Sequence, residues 1–262
     1  MSKTQKELAF LRDLYIANDW TLRFAELFDK NFKFSDEKTI LYVNAGTGNH
    51  ALELREKLPI DAELNAFSDD EELNIIAQAK ADALHTKVDF SGEFPNEKFD
   101  AVIADASFVR SSELEEFLDE IIDVSNKQVV FFLPTAGSFG EIFSVLWETL
   151  FDLNLLEKGT EIERLIAEIP TIEKVKEMAK NLGLDKIEAV TNTELFEFEN
   201  GAEFVNAPLI ADFLLPVWLE FLGEQEQEQV PDRLAQIIAD DGGTLSFLFS
   251  VKATLIVGEK TN

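Results

Sequence analysis

Leu8, Leu11, Leu14 and Tyr15 recur at helical spacing near the start of the chain, and Trp20, Phe24, Leu27 and Phe28 continue the stripe. That period predicts helix over residues 4–32, with a break near Asn18–Asp19 dividing it in two. The pattern then changes. Residues 39–44, TILYVN, form a short apolar run that ends in Ala45-Gly46-Thr47-Gly48, and a helical stretch follows from Asn49 to Leu58. Residues 62–67 read as a second strand. Asp69–Ala83 reads as helix, with Asp69, Asp70, Glu71 and Glu72 in the first turn, where acidic groups suit the positive end of the helix dipole. A short strand near Lys87–Phe90, an apolar run Phe99–Asp105, a helix Ser112–Asp123 and an all-apolar strand Gln128–Leu133 closed by Pro134 complete the first half.

Apolar strands alternating with amphipathic helices predict an α/β fold, with a parallel sheet covered by helices on both faces. The second half is less regular. Phe139–Leu150 and Thr171–Leu182 read as helices, Lys186–Phe198 as a long strand, and Ala207–Leu222 as a very apolar helix interrupted by Pro216. The EQEQEQ run at 224–229 reads as a solvated loop or helix end, Pro231–Ala239 as a short helix, and Asp240–Gly243 as a turn. A long strand Thr244–Val257 closes the chain and pairs best antiparallel with Lys186–Phe198 at one sheet edge. No internal repeat or linker stands out, so one domain is expected.

Composition narrows the class. An apolar share of 46% is ample for a large core. The net charge is −28, and residues 101–262 carry 31 acidic against 11 basic groups. Such a surface repels phosphate backbones and anionic headgroups, so neither nucleic acid nor membrane is expected as a partner. With no Cys, thiolate chemistry and disulfides are excluded. The amphipathic N-terminal segment does not read as a secretory signal, and no apolar run reaches the ~18 residues of a span, so a cytoplasmic protein is expected.

The strand-to-helix bend at Ala45-Gly46-Thr47-Gly48 is the first chemical signal. Glycines let the backbone turn tightly and approach a ligand, and the helix start behind them offers unpaired N–H groups. In open parallel sheets, ligands sit beyond the carboxyl ends of the strands. A nucleotide-like ligand is the default. No Lys-Ser/Thr follows the glycines, which argues against a phosphate-binding loop of the nucleotide triphosphatases. Gly46-x-Gly48-x-x-Ala51, with Asp69 and Asp70 about 20 residues on, fits the relaxed dinucleotide fingerprint.

The ordered set of motifs resembles the class I S-adenosylmethionine-dependent methyltransferases. Ile40-Leu41-Tyr42-Val43-Asn44-Ala45-Gly46-Thr47-Gly48 fills the frame of that family's glycine motif, with Tyr42 in place of the usual acid and Asn44 in place of the first glycine. Ser68, with Asp69 beside it, stands where an acid normally holds ribose. Val88-Asp89-Phe90 matches the adenine-side motif, and Phe99–Asp105 the strand after it. The likeness spans about residues 39–257. It implies a Rossmann-like, mostly parallel seven-stranded sheet with an antiparallel last strand and helical lid insertions. On that pattern residues 1–36 form a helical cap, 39–134 a cofactor-binding half, and 135–262 a substrate-side half with lid helices 138–150 and 204–240. S-adenosyl-L-methionine is the implied cofactor. Asn44, Ala45, Gly46, Thr47 and Gly48 would border its methionine part, Ser68 and Asp69 its ribose, Asp89 and Phe90 its adenine, with Asp105 at the same rim.

Methyl transfer from an activated donor asks mainly for alignment and a dry site, with a base where the acceptor is a hydroxyl or carbon acid. Asp105 and His50 are the candidates for that base. His85 reads as a surface-loop residue, and no metal-ligand spacing is present. Tyr15 and Trp20 in the cap, Thr135 and Ser138 after the fifth strand, and Phe213 and Trp218 in the apolar helix are candidate contacts for a small apolar or aromatic acceptor. That helix also reads as ordinary core or as a homodimer face. A non-catalytic binding protein on the same fold, and a nicotinamide-dependent oxidoreductase, stand as alternatives.

Overall fold

The computed structural model describes residues 3–242 and 246–261. The chain opens with α1 (Gln5–Leu11), whose first turn is closed by a reciprocal capping box between Thr4 and Glu7. A π-helical segment, Arg12–Thr21, continues without a break into α2 (Leu22–Asn31). The interruption expected near Asn18–Asp19 is therefore a change of helical pitch and not an end. Then come β1 (Thr39–Val43), α3 (Asn49–Lys57), β2 (Glu63–Phe67), α4 (Glu71–Leu84), β3 (Asp89–Ser91), β4 (Phe99–Asp105), α5 (Leu114–Asp123) and β5 (Ser125–Thr135). The second half runs α6 (Gly140–Asp152), α7 (Gly159–Glu168), α8 (Ile172–Asn181), β6 (Leu184–Phe198), α9 (Gly201–Asn206), α10 (Leu215–Trp218), α11 (Glu224–Gly242) and β7 (Phe247–Lys260).

The seven strands form one sheet in the order β3-β2-β1-β4-β5-β7-β6. β1 lies between β2 and β4, with Leu41 opposite Asn65 on one side and Val102 on the other. β1 to β5 are parallel to their neighbours. β7 is the antiparallel strand. Lys186 with Glu259, Thr191 with Thr254 and Lys252 with Thr193 pair in opposite sense along β6 and β7. Ile40, Leu41, Tyr42 and Val43 are all buried, as strands covered on both faces must be.

Several elements differ from the sequence expectation. β5 continues past Pro134 to Thr135, because the last β4 pair joins Asp105 to Phe132 and no ladder N–H is needed beyond it on that side. The EQEQEQ run forms the first turns of α11, which carries Pro231 inside it and continues through Asp240 to Gly242. Glu and Gln are good helix formers, and Glu suits a first turn. The apolar stretch 207–222 is a π-helical turn (Leu209–Leu214) followed by α10, with Leu209, Ile210, Leu214, Leu215, Trp218 and Leu219 buried. α7 has no counterpart among the elements the sequence pattern predicts. Residues 243–245, including the expected strand start at Thr244, lie outside the described residues.

Contacts divide the chain into two compact units. The first holds 1–133, 171–192 and 253–262; the second holds 134–170 and 193–252. The chain passes from one to the other inside β5, β6 and β7 and between α7 and α8, so no linker composition marks the boundary. The first unit's core joins Leu41, Val102, Leu118, Val129, Phe131 and Ile256. The second is packed by aromatic side chains: Phe196 stacks on Phe249 at 4.9 Å, and Trp218 meets Phe139 and Phe143 at 5.1 Å.

Candidate functional site

The bend after β1 carries three left-handed residues, Asn44 (φ 57°), Gly46 (φ 59°) and Gly48 (φ 80°). Asn tolerates that region better than any other residue with a Cβ, so Asn44 keeps the backbone path that a glycine would take. Its side chain also adds a tie. Asn44 Nδ2 donates to the Asp105 carbonyl at 3.0 Å, and the Ala45 N–H donates to the Phe67 carbonyl at 3.1 Å. The bend is thus fastened to the carboxyl ends of both strands beside β1. The two glycines serve different ends. A Cβ on Gly48 would press on the Phe90 ring at 2.8 Å and on Ala77 at 2.9 Å, whereas a Cβ on Gly46 meets nothing within 4 Å. Gly48 allows close packing beneath the bend; Gly46 faces open space.

That space is a cavity of about 560 Å³ at the carboxyl rim of β1, β2 and β4, within the range of ligand pockets. Phe67, Leu73, Phe94 and Val109 give it apolar walls, and Ser68, Asp69, Asp70 and Asp105 give it polar edges. A smaller cavity of about 130 Å³ lies under the π-helical segment, against Thr47, Asn49, His50 and Glu53. Arg12, Asn44, Gly46, Asp105 and Phe108 line both. The Arg12 guanidinium stands over the Phe108 ring at 5.1 Å. Burial pushes the Arg12 pKa down, against the pull of Asp105, Asp70 and Asp69. Burial pushes the Asp105 carboxyl up, although its Oδ1 accepts the Ser107 N–H at 2.8 Å and Arg12 opposes the shift. Asp105 is therefore a stronger base than an ordinary carboxylate.

The loop after β4 is pinned from the N-terminal helix. Trp20 Nε1 donates to Ser107 Oγ at 2.9 Å and Trp20 is fully buried, so this candidate acceptor contact orders the loop and lines neither cavity. Tyr15, half exposed, lines neither cavity. Lys80 on α4 reaches Asp13 and Asn49 and donates to the Thr47 carbonyl at 3.1 Å, which ties the π-helical segment to the bend.

His50 is held by protein groups. Tyr42 OH lies 2.8 Å from its Nδ1. Burial raises the Tyr42 pKa well up, so the phenol keeps its proton. Nε2 lies 3.7 Å from Asp29 Oδ1, and His50 with Lys57 holds the Asp29 carboxyl down at about 2. The unusual Tyr42 thus has a buried partner of its own.

Among the remaining candidates, Asp69 is exposed at the larger cavity, while Asp70 accepts the Glu72 N–H at 2.9 Å as the cap of α4. Ser68 is buried at the cavity, its carbonyl accepting from Asn74. Asp89 is exposed and Phe90 packs under Gly48; neither lines the cavity, and Phe94 supplies the ring on that side. Thr135, Ser138, Phe213 and Trp218 belong to the second unit and line neither cavity. Ser138 Oγ donates to the Thr135 carbonyl and accepts the Lys252 N–H, which is turn chemistry. Sequence reasoning missed Arg12, Lys80, Phe94 and Phe108. Lone cations and Phe residues on amphipathic helices and in loops carry no pattern that separates a site from surface or core.

No family model matches the chain, and no curated protein matches it. Solved structures do. The YcgJ protein of Bacillus subtilis aligns with TM-score 0.55 at 16% identity, over 92% of this chain and 99% of that one. Haemonchus contortus phosphoethanolamine N-methyltransferase 2, solved with S-adenosylhomocysteine, aligns with TM-score 0.54 at 11% identity, over 99% of this chain and 59% of the other. The fold is that of the class I S-adenosylmethionine-dependent methyltransferases. The cyclopropane synthase MmaA2 of Mycobacterium tuberculosis shares this methyltransferase fold, with TM-score 0.51 at 12% identity over 91% of this chain and 84% of that one. The methyltransferase fold thus carries more than one activity among these neighbours.

Proposed function

We propose that the chain binds S-adenosylmethionine in the larger cavity and transfers its methyl group to a small molecule. The observation that carries this reading is Gly46, whose missing side chain opens the bend onto a cavity edged by Asp69 and walled by Phe67, Leu73, Phe94 and Val109. The residues fit such a group. Apolar side chains cover a flat base, Asp69 accepts from ribose hydroxyls, and the glycine brings the backbone to the ligand. When bound, the group supplies a methyl already activated on a sulfonium. The chain supplies position and charge. Asp105 places a carboxylate at the junction of the two cavities, where it attracts a cationic ligand, and its raised pKa suits it to take a proton from an acidic acceptor. His50, bonded to Tyr42 through Nδ1 and beside Asp29 through Nε2, holds the helix start in place instead of acting as that base. A net charge of −28 favours a small uncharged or cationic acceptor over nucleic acid. Among the described residues no helix is long and apolar enough to cross a membrane.

Calorimetric titration with S-adenosylmethionine, S-adenosylhomocysteine and NAD tests the reading. Micromolar binding of the first two is expected; binding of NAD alone overturns it. Binding without conversion of S-adenosylmethionine to S-adenosylhomocysteine, across a panel of small acceptors, would favour a non-catalytic binding protein.

A further inference from the structure

We propose that a second copy of the chain docks on the outer side of the N-terminal helix, along a row of exposed apolar side chains. The inference is independent of the ligand assigned to the larger cavity.

The helical run from Gln5 to Asn31 carries two apolar rows. Ala9, Ile16, Trp20, Phe24 and Phe28 form the inner one and are buried. Trp20 reaches Ser107 after β4, and Phe24 stacks on Phe132 of β5 at 5.7 Å. One such stripe is what a helix needs to lie on a core. The outer row is Phe10, Leu14 and Leu22, exposed by 50%, 60% and 40%. With Asn18 between the last two, its members follow one another in steps of four, which keeps them on one side of the helix. Asn18 turns its amide inward, donating to the Asp13 and Leu14 carbonyls at 3.2 and 3.1 Å. Large apolar side chains gathered in a row, unlike single scattered ones, mark an interaction surface.

Charge selects the occupant. Residues 3–33 hold six basic and five acidic groups, whereas residues 34–262 hold 17 basic against 46 acidic. The five carboxylates of the helix are also engaged within the chain. Glu7 closes the α1 capping box, Asp13 meets Lys80, Asp19 meets Arg23, Glu26 meets Lys30, and Asp29 meets Lys57. The row therefore lies on a nearly neutral segment of a strongly acidic molecule. A basic partner is drawn to the acidic remainder, and an acidic partner is repelled by it. A second copy offers the same neutral, apolar row. Two-fold pairing lays row against row and joins the chains through the segment with the least like charge. Asn18 and Leu22 also line the smaller cavity, so the docked copy lies beside that cavity and shields it from water.

Sedimentation velocity of the full chain, from about 5 to 200 µM, tests the proposal. A reversible monomer–dimer equilibrium is expected. Because the two copies repel through their acidic remainders, salt should tighten the dimer. Raising it from about 0.1 to 1 M shortens the screening length from about 10 to 3 Å, and the association constant should rise about threefold or more. Phe10→Ser and Leu14→Gln should each weaken the dimer about tenfold. Ile60→Ser, at a residue 97% exposed outside the row, should leave it unchanged. Hydrogen exchange of the wild type needs no substitution: on concentration, protection should rise over residues 7–22. A monomer throughout the range gives the row to a partner of other chemistry and overturns the proposal. So does a dimer that salt dissolves, one that both row variants leave intact, or one whose added protection falls on another segment.

Discussion

The first unit gathers polar side chains around two cavities, whereas the second turns its aromatic side chains on one another. In the first, Arg12, Asn44, Asp69 and Asp105 come from three strand ends and a helix, and each borders space. In the second, Phe139, Phe143, Phe196, Phe249 and Trp218 form a chain of ring contacts between 4.9 and 6.2 Å. The glycines show the same contrast. Gly46 in the first unit has nothing where its Cβ would be, while a Cβ on Gly201 in the second would lie 2.3 Å from the Ala235 carbonyl oxygen. One glycine leaves room for a ligand, the other for a helix. The heavy use of Phe, 23 residues, finds part of its explanation in that second core.

If this division of labour is right, substitutions should separate binding from stability. The largest effect is expected from Gly46→Val, which fills the opening and forces a β-branched residue to positive φ. S-adenosylhomocysteine binding should fall below calorimetric detection, at a stability cost of about 1–3 kcal/mol by denaturant unfolding. Retained affinity would place the ligand elsewhere. Trp218→Ala should do the reverse: about 3–5 kcal/mol of stability lost, with affinity unchanged where the protein remains folded. Loss of affinity there would break the comparison.

Asp105→Asn should weaken S-adenosylmethionine about tenfold while stabilising the folded chain at neutral pH. The sign follows from the raised pKa: ionising Asp105 costs the folded state more than the unfolded one, so the penalty is present above the ordinary carboxyl range and absent below it. Unfolding midpoints of the variant and wild type should therefore converge in acid. Asp29 gives the smallest effect and the opposite sign. Its pKa falls from 3.8 to about 2 in the folded chain, so its contribution is full above pH 4 and disappears between about 4 and 2. Asp29→Asn should lower stability at pH 7 by under about 1 kcal/mol, because the group is partly exposed, and by nothing near pH 2.

Much of the first unit was legible because its signals are backbone signals. The apolar run 39–43, the glycines at 46 and 48 and the acid at the end of β4 each constrain the chain locally, whatever packs on them. Asn44 was legible as a departure, and its left-handed φ explains why the departure is tolerated. Arg12 was not legible, since a cation on an amphipathic helix looks the same whether it faces solvent or a cavity. Motif order alone sets Asp89 and Phe90 at the adenine, but Phe90 packs beneath Gly48, and Phe94, beyond the end of β3, lines the cavity instead. The boundary of the second unit falls mostly inside β5, β6 and β7, where a strand runs on from one unit to the other with no linker between them.

The most direct measurement is a crystal structure of the chain with S-adenosylhomocysteine. The expected result is the adenosyl group over Gly46, its ribose at Asp69 and its base among Phe67, Leu73, Phe94 and Val109. Ligand density at any other place, or a bend closed by side chains in the presence of saturating ligand, would contradict it.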